Sequence, residues 1–216
     1  MRTKIIEAVR NEKLIVIVRG VEKEKLIPLA QAMYDGGIRM LEITYDARKK
    51  DSDTDTARSI ERLASAFEGK LLIGAGTVLT EEQVSLTKHA GGGFIISPDA
   101  SATVIERTRE LGMVSIPGAL TPTEITTAHR SGADFVKLFP AVSMGVEYVK
   151  ALRAPLPHID LLAVGGIREG NLRDYLNAGV CGFGISSNIV NRGLIAENRF
   201  DALRELARKY VSAVKQ

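Results

Sequence analysis

The sequence has no tryptophan and a single cysteine, Cys181, in 216 residues. One cysteine excludes an intramolecular disulfide, so an apolar core must hold the fold, and a reducing cytoplasm is the expected setting. Aromatic residues make up only 5% of the chain, and the net charge is only +3, with acidic and basic side chains mixed along its length. These features provide neither a base-stacking surface nor a basic stripe, so no nucleic-acid partner is expected. Long apolar runs are also missing. The longest, Leu14–Val18, is closed by Arg19. It is too short for a signal-peptide core or a membrane span, so no membrane partner is expected. The three histidines, His89, His129 and His158, lie far apart and none ends a strand-like run, so no histidine metal site is expected. The acidic stretch Asp51–Asp55 opens like a calcium loop but has Thr56 where glycine is needed and Arg62 where a bidentate glutamate belongs. It reads as a solvated polar turn.

The rest of the composition is that of an ordinary globular chain, 45% hydrophobic and 25% charged. The length suits one domain spanning residues 1–216. Short β-branched runs recur at Leu14–Arg19, Met40–Thr44, Leu71–Ala75, Phe94–Ser97, Met113–Ile116, Phe135–Phe139, Asp160–Val164 and Val180–Ile185, each followed by turn residues. Amphipathic stretches separate them. Glu22–Gly36 carries Leu26, Leu29, Ala30 and Met33 at helical spacing, and Asp55–Phe67 carries Ile60, Leu63, Ala64 and Phe67. Thr80 and Gln83 have the spacing of a capping box, Pro122 suits a first helical turn, and Gly36, Gly91, Gly112, Gly132 and Gly179 sit where helices end. Eight strand–helix alternations predict an α/β fold, a single (β/α)8 TIM barrel with parallel strands. Met1–Asn11 adds an extra N-terminal helix, expected beneath the barrel, and Phe200–Val214 is the last helix. A long polar connection, Tyr45–Thr54, belongs at the rim where barrel active sites lie.

Strand alternation then selects the inward side chains. With Val136 and Leu138 facing the helices, Phe135, Lys137 and Phe139 point inward, as do Met40, Glu42 and Thr44. Ile15, Ile17 and Arg19 share one face, and Thr77 is taken to extend the face of Ile73 and Ala75. A lysine walled by Phe135, Phe139 and Pro140 is partly desolvated, which favours the neutral amine that attacks ketones. Two readings stand side by side here: a Schiff-base lysine with Glu42 as proton carrier, or a structural Lys137–Glu42 ion pair. Arg19 can grip a carboxylate or remain a solvated rim charge. The Gly165-Gly166 turn and the Gly182–Ser187 stretch follow the last two strands, where barrels often hold phosphate on backbone N–H groups. Two ordinary tight turns are the plainer alternative. On the same barrel, a phosphosugar isomerase or epimerase and a non-catalytic phosphometabolite binder are the rival functions.

Six motifs occur in order: Leu41-Glu42-Ile43-Thr44, Gly74-Ala75-Gly76-Thr77-Val78, Ile96-Ser97-Pro98, Ile116-Pro117-Gly118, Val136-Lys137-Leu138-Phe139-Pro140-Ala141 and Gly165-Gly166-Ile167. Together they resemble the 2-keto-3-deoxy-6-phosphogluconate / 4-hydroxy-2-oxoglutarate aldolase family over essentially the whole chain. The resemblance implies a class I aldolase, free of metal and cofactor, assembled as a homotrimer and acting on a small 2-keto acid phosphate. It implies Lys137 as Schiff-base residue and Glu42 as general acid/base. Arg19 and Thr77 would bind the pyruvyl carboxylate, Gly165, Gly166, Ser186 and Ser187 the phosphate, and Pro98, Pro117 and Phe139 would line the pocket. Three departures lie at the rim. Val164 stands where many phosphogluconate-type members have threonine, Ser186-Ser187 replaces a Gly-Ser pair, and Arg48 falls later than the arginine some members carry after the glutamate. The stretch Leu162–Ile167, with Asn171-Leu172 and Asn177-Ala178-Gly179, is more similar to the 2-keto-3-deoxy-6-phosphogalactonate branch.

Overall fold

Val- and Ile-rich runs form strands whose residues are buried on both faces, as a parallel sheet wrapped by helices requires. The structure, a computed structural model, describes residues 1–46, 48 and 52–215. Among them the chain runs α1 (Arg2–Glu12), β1 (Leu14–Val18), α2 (Lys23–Asp35), β2 (Met40–Thr44), α3 (Ser52–Ala66), β3 (Leu72–Gly76), α4 (Glu81–His89), β4 (Phe94–Ile96), α5 (Ala102–Glu110), β5 (Val114–Ile116), β6 (Gly118–Ala119), α6 (Pro122–Arg130), β7 (Val136–Leu138), α7 (Ala141–Arg153), β8 (Leu161–Val164), α8 (Leu172–Asn177), β9 (Gly182–Ile185), α9 (Arg192–Ala196) and α10 (Phe200–Lys215). All pairings are parallel, in the order β5-β4-β3-β2-β1-β9-β8-β7-β6.

Eight strands were expected, and nine segments form because Pro117 divides the fifth. Proline has no N–H to give a ladder. β5 therefore pairs with β4 and β6 with β7, and the two ends of the sheet are joined covalently through Pro117. Its carbonyl accepts from Lys137 N at 2.8 Å. The result is a nearly closed α/β TIM-like barrel.

The lower interior is filled by Ile15, Met40, Phe94, Ile96, Val114, Ile116, Phe135 and Leu162, and Ile5 and Val9 of α1 close it from below. Long-range ion pairs, Arg2 to Asp134 and Arg10 to Asp160, fix α1 there. At the other end of the chain, α10 packs on α2 with Leu203, Ala207, Tyr210 and Val214 turned inward at helical spacing. Among the described residues, no helix is long and apolar enough to cross a membrane.

Three local expectations need correction. Gly36 is right-handed at the end of α2, and Gly37 takes the positive φ instead. A side chain on Gly36 would strike the α10 backbone, which explains a glycine there without any turn requirement. Gln83 does not complete a capping box on Thr80. Its side-chain oxygen accepts from Leu79 N, one residue earlier. In the acidic stretch, Ser52 to Asp55 begin α3 rather than a turn, and Asp51 lies outside the described residues, as does part of the Tyr45–Thr54 connection.

Candidate active site

A cavity of about 340 Å³ opens at the C-terminal ends of the strands. β1, β2 and β7 bring Arg19, Glu42 and Lys137 to its wall, and Thr77, Pro98, Phe139, Gly165, Gly166, Ser186 and Ser187 complete most of the expected set. Pro117 does not reach the cavity and serves the barrel seam instead. A larger cavity, about 540 Å³, lies at the opposite end of the strands against Ile5, Arg39 and Leu72 and holds none of these groups.

Lys137 and Glu42 are 6% and 1% exposed. Burial lowers the Lys137 ammonium from its usual value, with Arg19 adding to that effect and Glu42 opposing it. Burial also raises the Glu42 carboxyl, against the pull of Lys137 and Arg19. The ion-pair reading of these two residues is not what forms: Glu42 Oε2 is buried without a hydrogen-bond partner. The Lys137 amine instead sits 4.7 Å above the centre of the Phe139 ring. Both groups are therefore held toward their neutral forms, an unpaired amine and a carboxyl able to exchange a proton.

The third strand departs from the expected parity. Ile73 and Ala75 pack outward with the helices. Gly74 and Gly76 face inward, where a methyl would fall on the Phe94 ring and on Glu42 Oε1 respectively. Regular alternation would turn Thr77 outward as well. It reaches the cavity because its φ is 56°, in the left-handed region. For a β-branched residue this conformation stores about 1–3 kcal/mol of strain, so its surroundings must impose it. Thr77 Oγ1 accepts from Arg19 at 3.2 Å, which brings a guanidinium and a hydroxyl together on one side of the cavity.

Gly76 has no positive φ, so alanine there is acceptable to the backbone, and the nearest atoms it would strike all belong to Glu42. If Glu42 carries protons to and from a substrate, Gly76→Ala should leave a folded chain while lowering turnover by about 100-fold, the usual consequence of a misplaced reacting group. Steady-state rates and thermal melting on one preparation check this. A variant with full activity would show that Glu42 need not occupy its observed position.

Opposite Thr77, Gly165 and Gly166 have φ of 93° and 76°. Their carbonyls are tied back, Gly165 O to Val142 N at 3.2 Å and Gly166 O to Asn171 Nδ2 at 3.3 Å, while Ile167 O accepts from Asn188 Nδ2 at 2.8 Å. The N–H groups of Gly166, Ile167, Ser187 and Asn188 have no acceptor among the described residues. All four residues line the cavity, and free N–H groups gathered from two turns are able to bind an anion. Asn171 was noted only as a likeness, and Asn188 was missed in the sequence because asparagine in a loop gives no local sign that it will bind a carbonyl 21 residues away.

Two histidines, His129 and His158, do meet edge to face with ring centres 5.5 Å apart. Among the described residues no group of three metal-ligating side chains forms.

Other proteins carry this architecture. Over 203 residues the chain is 34% identical to the 2-dehydro-3-deoxy-6-phosphogalactonate aldolase of Escherichia coli strain K12, covering 94% of this chain and 96% of that one. Over 216 residues it is 33% identical to the 2-dehydro-3-deoxy-phosphogluconate aldolase of Haemophilus influenzae, covering 98% and 97%. The crystal structure of the KDPG aldolase of Legionella pneumophila, with pyruvate captured at low pH as a covalent carbinolamine intermediate, matches with a TM-score of 0.84 at 29% identity, covering 94% and 96%. Fold and relatives define the class: an aldolase, a carbon–carbon lyase. A family model described as KDPG and KHG aldolase matches residues 5–206, and the chain belongs to that family. Membership does not favour the isomerase or silent-binder readings.

Proposed function

We propose that the chain cleaves a 2-keto-3-deoxy-6-phospho-sugar acid to pyruvate and glyceraldehyde 3-phosphate through a Schiff base on Lys137. The observation that carries this reading is the buried Lys137 amine, unpaired by Glu42 yet sharing a cavity with it. The amine adds to the C2 ketone, and loss of water gives an iminium. Glu42, through a water, takes the proton of the C4 hydroxyl. The C3–C4 bond breaks, its electron pair flows into the iminium, and the aldehyde leaves. Glu42 then returns a proton to C3 of the enamine, and hydrolysis frees pyruvate and the amine. Arg19 and Thr77 hold the carboxylate, and the two turns hold the phosphate.

Reducing the chain with borohydride in the presence of pyruvate and weighing it tests the covalent step. Rates on a panel of keto acids assign the substrate. We expect the phosphogalactonate-type C4 epimer to be preferred, since Val164 presents no hydroxyl to the cavity, and we expect 4-hydroxy-2-oxoglutarate to be slower because it lacks the phosphate. A preference for the phosphogluconate-type epimer would overturn the branch assignment alone. The same reading includes a homotrimer, as the family resemblance implies, and a cytoplasmic setting, as the single cysteine and the short apolar runs suggest. Exposed Val142 and Met144 at the start of α7 offer apolar surface to such an assembly.

Ser187→Ala should raise KM for the phosphorylated substrate by about tenfold, in line with loss of a hydrogen bond to a charged group. Exchange of pyruvate methyl protons, which needs no phosphate, should stay unchanged. Equal losses in both assays would remove Ser187 from phosphate binding.

A further inference from the structure

Thr77 points into the cavity only because its backbone is left-handed, and the sequence offers no glycine there to make that easy. Something nearby must hold the turn. Gln83, 8% exposed, lies close by in the first turn of α4. Its Oε1 accepts from Leu79 N at 2.8 Å, two residues beyond Thr77, and its Nε2 donates to Asp53 Oδ2 at 3.1 Å. A backbone N–H can only donate and a carboxylate can only accept, so both partners fix the same orientation of the amide. The main-chain carbonyl of Gln83 accepts from Tyr45 Oη at 3.2 Å and Thr87 Oγ1 at 2.8 Å. One residue thus joins the exit of β2, the exit of β3 and the start of α3, the segments that bracket Glu42 and Thr77.

We infer that Gln83 is a positioning residue for the pyruvyl end of the site, its buried amide holding the turn that aims Thr77 at the substrate carboxylate. The inference rests on the proposed aldolase reading, in which Arg19 and Thr77 bind that carboxylate. The amide also ties this turn to Asp53, so the first turn of α3 is linked to the carboxylate site. Glutamine suits the task because it supplies one acceptor and one donor on a single rigid plane, matching the Leu79 N–H on one side and the Asp53 carboxylate on the other.

A double-mutant cycle on the whole chain separates action through Thr77 from general loosening. The readout is the pyruvate concentration that half-saturates borohydride trapping. Gln83→Met removes both hydrogen bonds at similar side-chain length and is expected to raise this concentration by about tenfold, with the limiting trapping rate within about twofold. In a Thr77→Val background the same substitution should change it by less than about twofold, because the hydroxyl being positioned is already gone. An additive effect, or no effect in either background, would overturn the inference. Should Gln83→Met fail to fold, Asp53→Ala releases the amide from its other end. A rise of about threefold that disappears with Thr77→Val supports the role, and a rise that persists there, or none, overturns it. No adduct in the wild type would sink the aldolase reading and this role with it. An adduct whose pyruvate dependence ignores both Gln83 and Asp53 would sink this inference alone.

Discussion

Lys137→Met is expected to abolish the pyruvate adduct and to lower cleavage by roughly 10⁴-fold or more, the scale on which removal of a covalent catalyst is felt. Methionine matches the length of the lysine stem and keeps contact with Phe139, so the loss reports chemistry rather than packing. The Lys137 amine makes no ion pair among the described residues, and its main neighbour is an aromatic face. Removing it should therefore shift the melting temperature by no more than about 4 °C, equivalent to about 1 kcal/mol in a chain of this length. The pH dependence gives an independent check. Burial lowers the Lys137 pKa from 10.5, so the neutral, nucleophilic form is populated below that value. The rate of adduct formation should reach half its maximum below pH 10.5. A midpoint at or above 10.5 would mean that the amine titrates as if in water, contrary to its burial. A mass adduct that survives in Lys137→Met would place the covalent chemistry elsewhere.

Glu42→Gln should lower kcat by about 10²–10⁴-fold, the range for a lost general acid/base, while the pyruvate adduct still forms. Glutamine keeps the shape but carries no transferable proton, so the enamine is neither formed nor quenched efficiently. Removing the carboxylate also removes the attraction that raises the Lys137 pKa, so amine attack should not suffer. Stability should move the other way from activity. The folded-state pKa of Glu42 is raised above 4.5. The folded chain therefore binds this proton more tightly than the unfolded one, and wild-type stability falls as pH rises from 4.5 through the folded-state value. The glutamine variant lacks that penalty. Its melting temperature relative to wild type should be flat below pH 4.5, climb above it, and level off once Glu42 is ionised in both states. A variant that is active, or that loses stability at neutral pH, would contradict the view of Glu42 as an unpaired proton carrier held at the fold's expense.

Much of this molecule is written locally. Alternating β-branched runs and amphipathic stretches set the barrel, and strand parity brought Lys137, Glu42 and Arg19 to one mouth, because period-two geometry needs no knowledge of distant partners. The parity argument failed at β3. It assumed that aliphatic side chains fill the interior, whereas Gly74 and Gly76 face inward to make room for Phe94 and Glu42, and no local pattern reveals a space reserved for a side chain on another strand. The same limit hid Asn188 and gave Gln83 the wrong partner. Pro117 was placed in the pocket by motif, but its missing N–H assigns it to the seam.

By itself the sequence determined the barrel, its helical cap and the residue types at the strand ends, since these follow from periodicity and from each residue's own chemistry. Only the tertiary structure decided that Glu42 and Lys137 stay unpaired, that Thr77 turns inward against its backbone preference, and that two turns with unbonded N–H groups line one cavity. Those outcomes depend on which distant groups meet and how far water is excluded, and burial of charge is a property of the assembled fold, not of any segment of the chain.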